Sequence, residues 1–153
     1  MLKSIIDTTF LHLKRASTTL NQIKKFNLED SLIEDDNEIT KTIDAFIFRY
    51  TKLQDFVGDK LFKRLLAALG EYKSNMSYVD VLDKLEKLEI ISSSSNWIKF
   101  RQLRNQLTQE YPDDISSIIS GIMLATNYFE ILKNDLINIK EYIYTKKLLD
   151  ENY

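Results

Sequence analysis

Cysteine is absent from the chain, so no disulfide and no thiolate metal site can form. A cysteine-free chain fits a reducing compartment, and a cytoplasmic location is the expectation. Proline occurs once and glycine three times in 153 residues. So few turn-formers argue against strands joined by tight hairpins and for long helices. No uninterrupted apolar run approaches the roughly 20 residues that span a bilayer. The N-terminal MLKSIIDTTFLHLKRAS has neither the apolar core nor the cleavage site of a signal peptide, so no membrane association is expected. Charge of one sign is lacking too. The formal net charge of -2 gives no general attraction to nucleic acid, and any RNA contact needs a local basic patch. The one histidine, His12, has no carboxylate or thiol at ligand spacing, and a structural or solvent role is expected for it. Neither a metal nor a cofactor is expected.

What is present is helical periodicity. Ile6, Phe10, Leu13, Leu20 and Ile23 recur at helical intervals and predict a helix over about 2–26. The acidic stretch 27–38 predicts a loop. A long helix over about 37–69 follows from Ile43, Phe46, Ile47, Tyr50, Leu53, Val57, Leu61, Leu65 and Leu69. Gly58 interrupts it and suggests a kink or a close helix contact; Gly70 suits a left-handed cap. Ser77 and Asp80 form a capping-box-like start to a helix over about 78–91, with Val79, Leu82, Leu85 and Leu88 on one face. Ser95 or Asn96 is placed to cap the next helix, from Trp97 to the stop at Pro112. The last helix runs to about Leu149. Its apolar face includes Ile115, Ile118, Ile119, Ile122, Leu132, Leu136, Ile139 and Ile143, and Gly121 and Ala125 could admit a close neighbour. The expected fold is all-α: an antiparallel bundle of about five helices in one domain over 1–153, dimerising by helix packing.

The stretch WIKFRQLRNQLTQEYPDD (97–114) concentrates the chemistry. At about 100° per residue, Trp97, Phe100, Leu103 and Leu107 share the side to be buried. Arg104 falls at its edge, with Thr108 and Tyr111 near. Arg101, Asn105 and Gln109 spread away from the seam. Arginine presents a planar fork suited to phosphate. A helix with one polar face is more often simply solvated, and its arginines pair at the surface; Glu110, Asp113 and Asp114 are ready partners.

Within this stretch, RNQLTQEYP resembles the signature of HEPN-domain proteins of the HepT type: arginine, four residues, histidine, one residue, tyrosine, with asparagine after the arginine. Arg104, Asn105 and Tyr111 match, and the spacing matches. The segment IFRYTKLQDFVGDKLFKRLLAALGE (47–71) is similar to the second helix of a HepT-like subfamily. LDKLEKLEII, the serine turn and W-x-x-x-R-x-L-R-N follow the same pattern, so the resemblance spans about 40–145. It implies a HEPN-like homodimer, an RNA-cleaving toxin that needs no metal, and a minimal nucleotidyltransferase as antitoxin partner. It implies that Arg104 and the residue at position 109 line a cleft at the dimer interface, that Arg101, Asn105 and Thr108 assist in binding RNA or nucleotide, and that Tyr111 accepts AMP from the partner. Arginine would stabilise the charge that develops on the phosphorus centre, and histidine would move the proton. Gln109 stands at the histidine position. A carboxamide does not titrate near neutral pH, so catalysis is expected to be impaired. The alternative is a non-catalytic nucleotide-binding or regulatory partner of the nucleotidyltransferase.

Overall fold

A computed structural model describes residues 1–28, 37–109 and 115–149. All regular structure among them is helical. Helix α1 spans Leu2–Ile23. Helix α2, Asn37–Phe56, passes through a π-helical turn, Val57–Leu61, into α3, Phe62–Ala68, as one unbroken rod. Helices α4 (Tyr78–Lys87), α5 (Ser94–Leu107) and α6 (Ile115–Thr145) complete five rods, as the periodicity predicts.

Burial follows the apolar spacing. In α1 the buried stripe is Leu2, Ile6, Thr9, Leu13, Ala16, Leu20 and Ile23, a strict alternation of three and four. It lies along α2, where Ile39, Ile43, Phe46, Tyr50 and Leu53 are buried, and Val57 continues the stripe into the π turn. Phe62, Trp97 and Phe100 meet edge to face, with ring centroids 4.9 and 5.0 Å apart, and lock α3 to α5. The Tyr50 hydroxyl donates to the carbonyl of Phe100 at 2.9 Å and ties α2 to α5.

Several local expectations hold. Gly70 has φ +72 and ends α3, with Glu71 N–H donating back to the Leu66 carbonyl at 2.8 Å. Ser77 and Asp80 exchange both bonds of a capping box, at 3.0 and 3.1 Å. Gly121 meets α5 closely: a Cβ there would lie 2.8 Å from Leu107 Cδ2. Gly121→Val should therefore cost about 2 kcal/mol through overpacking at this crossing, read as a lowered denaturant midpoint. An unchanged midpoint would mean that α5 and α6 part without penalty.

Other expectations are corrected. α5 is capped by Ser93, whose Oγ accepts from Asn96 N–H at 3.4 Å, rather than by Ser95 or Asn96. It ends at Leu107, short of Pro112. α4 stops at Lys87, because Glu89 turns into the left-handed region at φ 60. Val79 is 47% exposed and leaves the buried face to Val81, Leu82 and Leu85. Ile115 is exposed as well. Most of the predicted loop 27–38, and the segment 110–114, lie outside the described residues.

α6 also revises the expectation about apolar runs. By length and composition alone it could cross a membrane, with a mean hydropathy of 1.4 in an 18-residue window, 28% of it buried in the fold. Serine, threonine and asparagine interrupt its apolar residues while few charges do. Its inward stripe, from Ile122 through Phe129 and Leu136 to Ile143, packs into the same core as the other helices.

That stripe includes one carboxylate. Asp135 is 2% exposed and accepts from Ser92 N–H at 3.1 Å, Ser92 Oγ at 3.1 Å and Trp97 Nε1 at 2.7 Å. It fastens the serine connector and the start of α5 onto α6.

Candidate functional site

One face of α5 meets the middle of the α2–α3 rod and the start of α4. A cleft of about 270 Å³ opens there, lined by Gln54, Asp55, Gly58, Asp59, Tyr78, Arg101, Arg104 and Asn105. The π turn falls in its wall. Its extra residue shifts the rod's register, so adjacent Leu61 and Phe62 are both buried beyond it. Gly58 lies within the turn, where a Cβ would come 3.2 Å from Tyr78 Cε1. Of the two roles expected for this glycine, a kink or a close contact, the close contact is present. It lets the Tyr78 ring reach the rod.

Arg104 holds Asp55 with both arms of a fork: Nε to Oδ1 at 3.1 Å and Nη2 to Oδ2 at 3.0 Å. Its Nη1 also donates to Asn105 Oδ1 at 3.4 Å. The pair is part-exposed, 30% for the arginine side chain and 46% for the aspartate. Its value is therefore orientation more than stability. Arg101 is exposed and lies over the Tyr78 ring, 4.5 Å from its centroid. Gln54 Nε2 donates to the Tyr78 hydroxyl at 3.3 Å, while Gln54 Oε1 is buried without a hydrogen-bond partner. Burial pushes the Tyr78 phenol up to about 12, against the pull of Arg101 and the Gln54 bond. At neutral pH it keeps its proton, and with Gln54 donating to its oxygen that proton is available to a ligand.

The predicted site residues divide. Arg101, Arg104 and Asn105 line the cleft together. Thr108 is the C-cap residue of α5, and its hydroxyl donates to the carbonyls of Arg104 at 3.0 Å and Asn105 at 3.3 Å. That hydroxyl serves the helix end. Gln109 is exposed beyond the end of α5, its N–H donating to the Gln106 carbonyl at 3.4 Å. The face argument that placed it with Arg101 and Asn105 assumed a helix through Tyr111, and that assumption fails at Leu107. Tyr111 lies outside the described residues, as do Glu110, Asp113 and Asp114. The acid that pairs with Arg104 is Asp55, 49 residues upstream.

His12 does not line the cleft. Its ring stands edge-on to Phe56 at 5.4 Å, and Nδ1 is buried without a partner. Burial, and then Arg15, Arg49 and Lys52, hold its pKa below the usual value. Among the described residues, no three His, Asp or Glu side chains gather as metal ligands would.

Sequence reasoning missed Gln54, Asp55, Asp59 and the role of Tyr78. One signal was available: Lys52, Asp55 and Asp59 follow one another at intervals of three and four on the polar side of the predicted rod. The cleft's described lining holds two arginines, two aspartates, two carboxamides and a phenol raised by burial, and no histidine. Its guanidiniums, carboxamides and phenol offer hydrogen-bond donors to a ligand. The chain matches no family model, and neither a curated protein nor a solved structure matches it.

Proposed function

We propose that this protein is the helical member of a HEPN/minimal-nucleotidyltransferase pair, a HepT-type toxin component that binds RNA and whose cleavage step is impaired at Gln109. One observation carries this reading: Arg101, Arg104 and Asn105, three residues of the resemblance, line one cleft with Tyr78. Two guanidiniums and two neutral hydrogen-bonding groups suit a phosphodiester and an adjoining base or ribose. A homodimer belongs to the same proposal. The outward side of α6, with Met123 62% exposed and Ile131 and Ile137 also exposed, supplies apolar surface for it. The proposal places the dimer in the cytoplasm with a nucleotidyltransferase as antitoxin and Tyr111 as the acceptor of its AMP.

The described cleft lining holds no histidine, and this favours a second reading, a non-catalytic nucleotide-binding partner of the same enzyme. RNA binding by fluorescence anisotropy tests what the two share. Arg104→Ala should weaken binding of a single-stranded RNA about tenfold, the worth of a charge-assisted contact to phosphate less the Asp55 pair given up. Equal affinity for the wild type and Arg104→Ala would remove the cleft from the function.

A further inference from the structure

Phe48 is the most exposed aromatic side chain in the described residues, at 52%. It stands on α2 four residues before Lys52 and seven before Asp55, a spacing that puts all three on one stripe of the helix. Two cations lie against its ring: Arg49 at 5.3 Å and Lys52 at 5.5 Å from the centroid. Arg15, on α1, is a third cation that acts with Arg49 and Lys52 on His12. Among the described residues none of these three cations is in a salt bridge. Asp44, four residues before Phe48, is the nearest acid along the stripe.

We infer that Phe48, Arg49 and Lys52 form a platform for single-stranded RNA, continuing the track that starts in the Arg101/Arg104 cleft. This rests on the RNA-binding reading proposed above. The combination is that of sequence-tolerant single-strand binding: an aromatic face on which a base stacks, and unpaired cations that follow the backbone. Position fits as well. Seven residues of helix rise about 10 Å from Phe48 to Asp55, the anchor of Arg104. About three stacked nucleotides cover that distance at ~3.4 Å each. The platform therefore takes nucleotides that the cleft does not, and it acts only on strands long enough to reach both.

Fluorescence anisotropy with labelled oligouridines of about 4 and about 12 nucleotides tests this in the full chain. The side chains altered are on the surface, so the fold is retained. Phe48→Ala should weaken the long oligomer about tenfold and leave the short one within about twofold. Lys52→Ala should lower the magnitude of the salt slope for the long oligomer by roughly 0.7. Wild-type affinity for the long oligomer in both variants overturns the platform, even where Arg104→Ala still weakens binding. A loss in Phe48→Ala while Arg104→Ala binds normally supports the platform and overturns the cleft instead. An equal loss toward a poly-glutamate probe overturns RNA as the occupant, because a peptide has no base to stack. No binding of either oligomer by the wild type overturns both.

Discussion

Asp135→Ala is expected to lower the unfolding free energy by about 4 kcal/mol, much of the 5–15 kcal/mol a domain of this size has. The carboxylate is buried and accepts three hydrogen bonds, from Ser92 N–H, Ser92 Oγ and Trp97 Nε1. Bonds to a charged acceptor contribute about 1.5–3 kcal/mol each, and a buried donor left without its acceptor costs about 1–3 more. Water entering the space made by truncation recovers part of that sum. The chain has one tryptophan, and it is a partner in this network, so its fluorescence follows the event directly. In urea the midpoint should fall by about 2 M. Asp135→Asn keeps one acceptor oxygen and should fall about half as far. A midpoint within about 0.5 M of wild type for the alanine variant would show that Trp97 and Ser92 find other acceptors, and that α5 is not fastened to α6 here.

The second large effect is a gain. On the proposed toxin reading, Gln109→His should raise RNA cleavage by a factor of about 10²–10⁴, with the bound RNA bringing the phosphodiester to an imidazole that lies beyond the end of α5 and outside the cleft lining. An imidazole titrates near neutral pH and a carboxamide does not. Position 109 is exposed, just past the C-cap Thr108, so the substitution disturbs no packing. Arg104→Ala in the histidine background should abolish the gain, because the charge developing at phosphorus then loses its guanidinium. Cleavage of a labelled RNA, followed on a gel, separates the outcomes. No cleavage by the histidine variant would sink the toxin reading and leave the non-catalytic partner.

The helices were legible because their apolar residues keep period. Trp97, Phe100, Leu103 and Leu107 are all buried, as their spacing requires. The ends were less legible, since they depend on which residue caps and which backbone turns left-handed. Ser93 outcompetes Ser95 and Asn96 within one polar run, and nothing in the composition of that run distinguishes them. Half of the cleft was visible in α5. The other half comes from α2 and α4, whose Asp55 and Tyr78 reach Arg104 and Arg101 through tertiary packing that no local period encodes. Asp135 was hidden for the same reason: a lone acid in an apolar stripe looks like an interruption until its three donors arrive from elsewhere in the chain.

The Arg104–Asp55 fork has a consequence for ionic strength. Binding to single-stranded RNA ordinarily gains entropy as mobile cations leave the phosphates, with a slope of about −0.7 per phosphate neutralised. Arg104 already carries a counter-ion fixed in the fold. If a phosphate displaces it from Arg104, Asp55 is left as a partly exposed carboxylate screened by the ions of the solution. Salt weakens the Arg104–Asp55 pair as well as the phosphate contact, so part of the salt dependence at Arg104 is offset. If the protein binds RNA as proposed, Arg104 adds contact and direction with a damped response to salt, while Lys52 and Arg49, which have no such partner among the described residues, carry more of the salt dependence.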